Sequence, residues 1–174
     1  MTEIALTIEE TARKAAGLIL PALFATGIPF FVLHGFHPFM DWSWESVVLF
    51  IVILILGVPL HELLHALVFG AFARGGYRAL KFGFDRSTYT PYCHCTGPIR
   101  VQWYRLGAVT PLLILGAVPF AVSLFNGSFG WWLFGYFYII AAGGDLVALK
   151  LLKGLPAHRK VLDHPEKMGF YVLD

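Results

Sequence analysis

The chain has 174 residues, 57% of them hydrophobic and only 14% charged, with 13 Lys and Arg against 11 Asp and Glu for a formal net charge of +2. Ordinary soluble domains carry roughly 25% charged residues, so this balance excludes a disordered chain and a water-soluble nucleic-acid binder and points to a small membrane bundle. The two cysteines, Cys93 and Cys95, are too few and too close in sequence for a disulfide framework.

Thr7 to Glu10 has capping-box spacing, which predicts a short interfacial helix over residues 8–16. Four apolar runs follow: residues 17–35, 45–73, 106–125 and 131–152. At about 1.5 Å rise per residue each can cross a hydrocarbon core of roughly 30 Å. The first is not read as a removable signal peptide, because it is long, lacks a small-residue cleavage site and follows the acidic pair Glu9 and Glu10.

Between the second and third runs the pattern changes. Residues 79–84, a turn around Asp85 to Ser87, and residues 88–93 read as a β-hairpin. The tail, 153–174, is polar with a short strand-like end at Phe170 to Leu173. The expected fold class is therefore an all-α membrane protein, a single domain over 1–174 with four transmembrane helices and a small cytosolic β-hairpin element. All 13 Lys and Arg fall on one side of this arrangement, and the positive-inside rule makes that side, with both termini, cytosolic.

One motif carries chemistry. His61-Glu62-Leu63-Leu64-His65 lies inside the second span and has the form H-E-x-x-H. Four residues turn a helix through about 400°, so the two imidazoles share a face roughly 6 Å apart along the axis and can bind one metal ion. Glu62 lies about 100° round from His61, placed for proton transfer beside the metal without being a ligand. Ionisable groups at membrane depth cost at least a few kcal/mol and tend to mark functional sites. Neighbouring Gly57 and Pro59 are unusual in a helix middle, and Pro59 is expected to kink the helix and free a carbonyl.

A catalytic zinc usually takes three protein ligands. Asp145 is the only acidic residue in the other three spans, and Gly143 and Gly144 before it would let helix backbones approach closely. His94 is the rival third ligand, and Cys93-His94-Cys95 could instead form a separate soft-metal site, although it lacks C-x-x-C spacing. His94 and Cys95 are thus carried as accessory or substrate-side residues. His34, His37, His158 and His164 are expected to be interfacial or solvated.

Taken together, these residues resemble the family of small membrane-embedded zincin metallopeptidases, once a domain of unknown function, which is distantly similar in logic to site-2 proteases. The resemblance spans nearly the whole chain: the His61 to His65 motif, His94-Cys95 followed by Pro98, Tyr104-Arg105 entering a span that contains Pro111, Gly143-Gly144-Asp145, and Asp163-His164-Pro165 with Gly169-Phe170. Site-2 proteases take a third ligand from an Asp on a later span, and the resemblance carries that role onto Asp145. The Asn-rich substrate motif and the PDZ-like insertion of those proteases are missing here.

The resulting expectation is a zinc-dependent peptidase acting near the cytosolic face on a membrane-protein or peptide substrate. Zn²⁺ would be held by His61, His65 and Asp145, with Glu62 as general base. The bilayer is the expected partner, nucleic acid is not, and the oligomeric state is open. Three readings stand beside it: a non-catalytic metal- or haem-binding membrane protein, a zinc hydrolase acting on a non-peptide, lipid-like bond, and a structural membrane subunit.

Overall fold

The computed structural model describes residues 1–40, 42–86 and 90–173. It begins with a strand, β1 (Thr2–Leu6), and a helix, α1 (Ile8–Ala16). The Thr7 side chain accepts from the Glu10 N–H while the Glu10 carboxylate accepts from the Thr7 N–H, the reciprocal bonds that the spacing predicts. Helices α2 (Ile19–His34), the single turn α3 (His37–Met40) and the 29-residue α4 (Trp44–Phe72) follow. The α4 helix is continuous through Pro59 and starts at Ser43, whose hydroxyl accepts from the Ser46 N–H.

A hairpin of β2 (Leu80–Asp85) and β3 (Thr90–Cys95) comes next, paired antiparallel with Phe82 opposite Cys93. Its expected turn reaches Ser87, which lies outside the described residues. The two-residue strand β4 (Ile99–Arg100) then leads into α5 (Val101–Pro111), a π-helical segment over Leu112–Ala117, and α6 (Val118–Asn126). The π segment lies where two helix backbones nearly touch: a Cβ on Gly135 would stand 2.7 Å from the Gly116 carbonyl oxygen. Gly127 ends α6 in the left-handed region (φ 67°), and Ser128 caps the start of α7 (Phe129–Ala141). α7 and α8 (Gly143–Leu151) form one apolar run bent by 41°. Strands β5 (Lys160–Asp163) and β6 (Met168–Leu173) close the chain.

Three helical stretches, Ile8–His34, Trp44–Phe72 and Val101–Asn126, are long and apolar enough to cross a membrane, and the bent α7–α8 pair makes a fourth candidate. Their outward faces carry many exposed large apolar residues, as lipid-facing helices do.

The all-α expectation needs correction. Besides the hairpin there is a four-stranded antiparallel sheet of order β1-β6-β5-β4, with Ile4 opposite Phe170 and Ile99 opposite Val161. Its strands are drawn from both chain ends and from the 99–100 linker. Phe170, Val161 and Ile99 of its strands and Leu152 after α8 are at most 1% exposed, and they pack with the buried Phe69 and Tyr104 from the ends of α4 and α5. Full burial of each such large side chain is worth about 1.5–3 kcal/mol. This sheet core sits at the motif-bearing end of the helices, while an aromatic cluster of Phe30, Phe129 and Trp132 packs a separate part of the bundle.

Candidate metal centre

The α4 helix turns one stripe inward. Gly57, His61, His65 and Phe69 follow one another at four-residue spacing and are buried, whereas Leu60, Leu63 and Leu67 are exposed. Gly57 is explained by this stripe: a Cβ there would lie 2.2 Å from the Tyr138 hydroxyl oxygen. That hydroxyl donates to the Leu54 carbonyl at 2.6 Å, one residue before the Ile55 carbonyl that Pro59 leaves without its helical N–H partner.

α5 meets the stripe at Gly107, where a Cβ would stand 2.2 Å from the Phe69 ring. The Gly107 carbonyl oxygen lies 3.0 Å from His65 Nδ1 and so assigns the ring proton to that nitrogen. Nε2 is then left as an electron-pair donor, and it points at Asp145 Oδ1, 3.2 Å away. His61 Nε2 stands 3.2 Å from the other oxygen, Oδ2. The two imidazole rings are 4.9 Å apart; Tyr138 backs the first and Phe69 backs the second. Asp145 reaches them from the first turn of α8, directly after the bend, where a helix N-terminus favours a carboxylate. The Gly pair does allow a close approach, but to α1: a Cβ on Gly143 would lie 2.9 Å from Ala15 Cβ.

Donor atoms of His61, His65 and Asp145 all lie within 4.8 Å of one another. Two imidazoles and a carboxylate are a donor set suited to zinc with one position open. Ligands at about 2.0–2.1 Å from a tetrahedral ion stand about 3.3 Å apart; each imidazole Nε2 is 3.2 Å from one Asp145 oxygen, a different oxygen for each ring, so only a small inward movement would gather the three donors around one ion. The residues therefore fit the metal, with the outer nitrogen of His65 already oriented by a backbone carbonyl.

Glu62 is half-buried beside this group, with Cys93 of β3 close by. The rival third ligand falls elsewhere. His94 Nδ1 faces Asp163 Oδ2 at 3.6 Å and is not part of the ligand cluster. Burial, with the Lys81 charge adding, holds its imidazole below the usual histidine range. Cys95 is fully buried, donating its thiol to the Gly97 carbonyl at 3.4 Å. Burial, reinforced by neighbouring carboxylates, pushes the Cys93 thiol up to about 12 and the Cys95 thiol up to about 11, which does not suit a thiolate nucleophile.

His164, expected to be interfacial or solvated, is 8% exposed; its Nδ1 accepts from the N–H groups of Glu166 and Lys167 and so builds the turn before β6. His34 bonds the Leu124 carbonyl. Asp163 is a residue to which sequence reasoning gave no role. Its Oδ2 accepts from the Cys95 N–H at 2.8 Å, its Oδ1 is buried without a hydrogen-bond partner, and burial raises its carboxyl to about 6. Its only sequence signal was its place in the Asp163-His164-Pro165 motif of the family resemblance, which carried no role for it.

A family model described as putative zincin peptidase matches residues 54–159, from the first half of α4 to the segment before β5. No curated protein and no solved structure matches the chain.

Proposed function

Because the chain belongs to the putative zincin peptidase family, we propose that it hydrolyses peptide bonds with zinc held by His61, His65 and Asp145, at or within the membrane and near its cytosolic face. The observation that carries this reading is the shared carboxylate, one Asp145 oxygen 3.2 Å from each Nε2, with Glu62 alongside. When bound, zinc supplies Lewis acidity, polarising the scissile carbonyl and easing the deprotonation of water.

The remaining work falls to the chain's own side chains. Glu62 accepts the proton of the attacking water and returns it to the leaving amine. Gly107 fixes the tautomer of His65, and the Tyr138 and Phe69 rings restrict the imidazoles to one orientation. A transmembrane helix hides its peptide bonds in its own hydrogen bonds, so the substrate must be a locally unwound segment of a membrane protein or peptide. The nearness of β3 to Glu62 supports a reading in which the hairpin holds it, since strand addition satisfies an extended backbone.

The deciding experiment compares the wild type with Glu62→Gln, which keeps shape and ligands but removes the proton acceptor. Zinc stoichiometry should be unchanged while cleavage of a membrane-tethered reporter falls by a factor on the order of 10² to 10⁴. Undiminished cleavage by the zinc-loaded variant would end the assignment of Glu62. A wild type that holds zinc and cleaves nothing across a broad panel would favour the binding-protein reading.

A further inference from the structure

Beyond the end of α4 at Phe72 the chain reverses through Gly75 and Gly76, both in the left-handed region (φ 99° and 61°), and enters β2 through the turn Gly76–Ala79. The other end of the hairpin leaves through Thr96, Gly97 and Pro98. Backbone bonds tie the two connections together. Arg74 donates its N–H to the Pro98 carbonyl at 2.9 Å, and Thr96 donates its N–H to the Ala79 carbonyl at 2.8 Å. A Cβ on Gly97 would stand 2.2 Å from the Arg74 carbonyl oxygen, so the junction accepts only glycine. An open cleft of about 440 Å³ lies here, lined by Arg74, Arg78, Thr96 and Pro98 and by no acidic side chain.

Both cations of the cleft are exposed, and among the described residues neither guanidinium has a hydrogen bond or an ion pair. Arg105 shows the contrast, donating to the Leu152 and Leu155 carbonyls at 2.6 and 3.0 Å and so serving the fold. A guanidinium is always charged and presents a planar fork of donors that matches phosphate oxygens. The aromatic residues nearby give the cleft its depth. Trp103 stacks on Phe72 with ring centroids 3.9 Å apart, and Tyr77, 60% exposed, lies against Gly70 with its hydroxyl 3.5 Å from the Leu67 carbonyl. At the end of a helix able to cross a membrane, Trp and Tyr mark the headgroup layer, where lipid phosphates sit.

We infer that the Arg74–Arg78 cleft is a binding site for the phosphate of an anionic lipid headgroup, which accepts from both guanidiniums at the root of the hairpin. Basic side chains immediately beyond a span attract anionic lipid, and a cleft that gathers two of them selects one headgroup from the layer. Inorganic phosphate has the same charge chemistry. A lipid adds acyl chains that lie along the exposed apolar surface of α4, where Leu67 and Phe72 stand, and this favours the lipid as occupant. Because both ends of the hairpin line the cleft, a bound phosphate ties the hairpin root to the membrane surface.

The test titrates the full-length protein, delipidated in detergent, with phosphatidylglycerol, phosphatidylcholine or inorganic phosphate and counts bound molecules by native mass spectrometry. Phosphatidylglycerol should bind most tightly. The double variant Arg74→Gln/Arg78→Gln should weaken its binding at least about tenfold, the loss expected when charge-assisted hydrogen bonds to a phosphate are removed. Lys14→Gln/Lys153→Gln removes the same charge from exposed positions outside the cleft and should weaken it by less than about threefold, because charges more than roughly 8 Å away are screened at physiological salt. Should the arginine variant fail to fold, the wild type carries the test: phosphatidylglycerol should slow phenylglyoxal modification of Arg74 and Arg78 but not of the exposed Arg13.

Equal losses in the arginine and lysine variants, or equal protection of Arg13, would mean diffuse surface charge and overturn the site. Inorganic phosphate binding as tightly as phosphatidylglycerol would overturn the lipid as its occupant. Neither measurement involves zinc or cleavage, so the outcome is independent of the peptidase reading.

Discussion

Asp145 and His94 were the two candidates for third ligand, and their surroundings separate them. One Asp145 oxygen faces each imidazole, whereas His94 faces Asp163 at 3.6 Å. Asp145→Ala should therefore weaken zinc binding by more than the 10–100-fold that outer partners are worth, and His94→Ala should leave zinc stoichiometry close to wild type; metal analysis of the two purified variants checks the ranking. Asp163 makes a second prediction, in pH. Its carboxyl lies near 6 in the folded chain against an ordinary value of 3.8, because burial opposes the charged form. A raised carboxyl means that the folded state binds the proton more tightly, so its contribution is fully present below about pH 4, is lost as pH rises towards 6, and stays lost above. The penalty at neutral pH is on the order of 3 kcal/mol. Asp163→Asn removes this titration, so its stability relative to wild type should rise between pH 4 and 6 and level off above, as thermal unfolding of the two proteins in detergent would show.

At the scale of elements, the site depends on how closely α5 and α8 reach the buried stripe of α4. Gly107 brings α5 in, and its carbonyl orients His65. Gly107→Ala places a methyl 2.2 Å from the present Phe69 ring position, so α5 or the ring must retreat and the hydrogen bond to Nδ1 lengthens. Overpacking of this kind costs typically 1–3 kcal/mol, and losing an orienting partner costs roughly 10–100-fold in metal affinity. Zinc titration of Gly107→Ala against a competing chelator should show a drop in that range, with stoichiometry retained at saturation. The pairing of His61 with His65 was legible in the sequence because four residues on a helix always share a face. Gly107 was not, because nothing local marks a glycine in an apolar run as the point where another helix touches.

For the whole molecule, β1 from the N-terminus, β5 and β6 from the C-terminus and β4 from the linker before α5 form one sheet. Both termini and the segment before α5 therefore share one side of the helical body, the same grouping that the 13 Lys and Arg show along the chain. With the positive-inside rule this side is expected to be cytosolic, so protease-sensitive tags at either terminus should stay protected in intact cells and be cut together once the membrane is opened; protection of only one tag would contradict the arrangement. The sequence by itself determined the apolar runs, the H-E-x-x-H face and the choice of Asp145 as the acid inside an apolar run, because hydropathy, helical period and the rarity of charge in such runs are local properties. Only the tertiary structure decided the four-stranded sheet, the bend that delivers Asp145, and the bond from the β3 edge to Asp163. Those features rest on pairings between residues up to 170 positions apart, such as Thr2 with Val172, and no periodicity within a short window encodes which distant strand or carboxylate a backbone amide will meet.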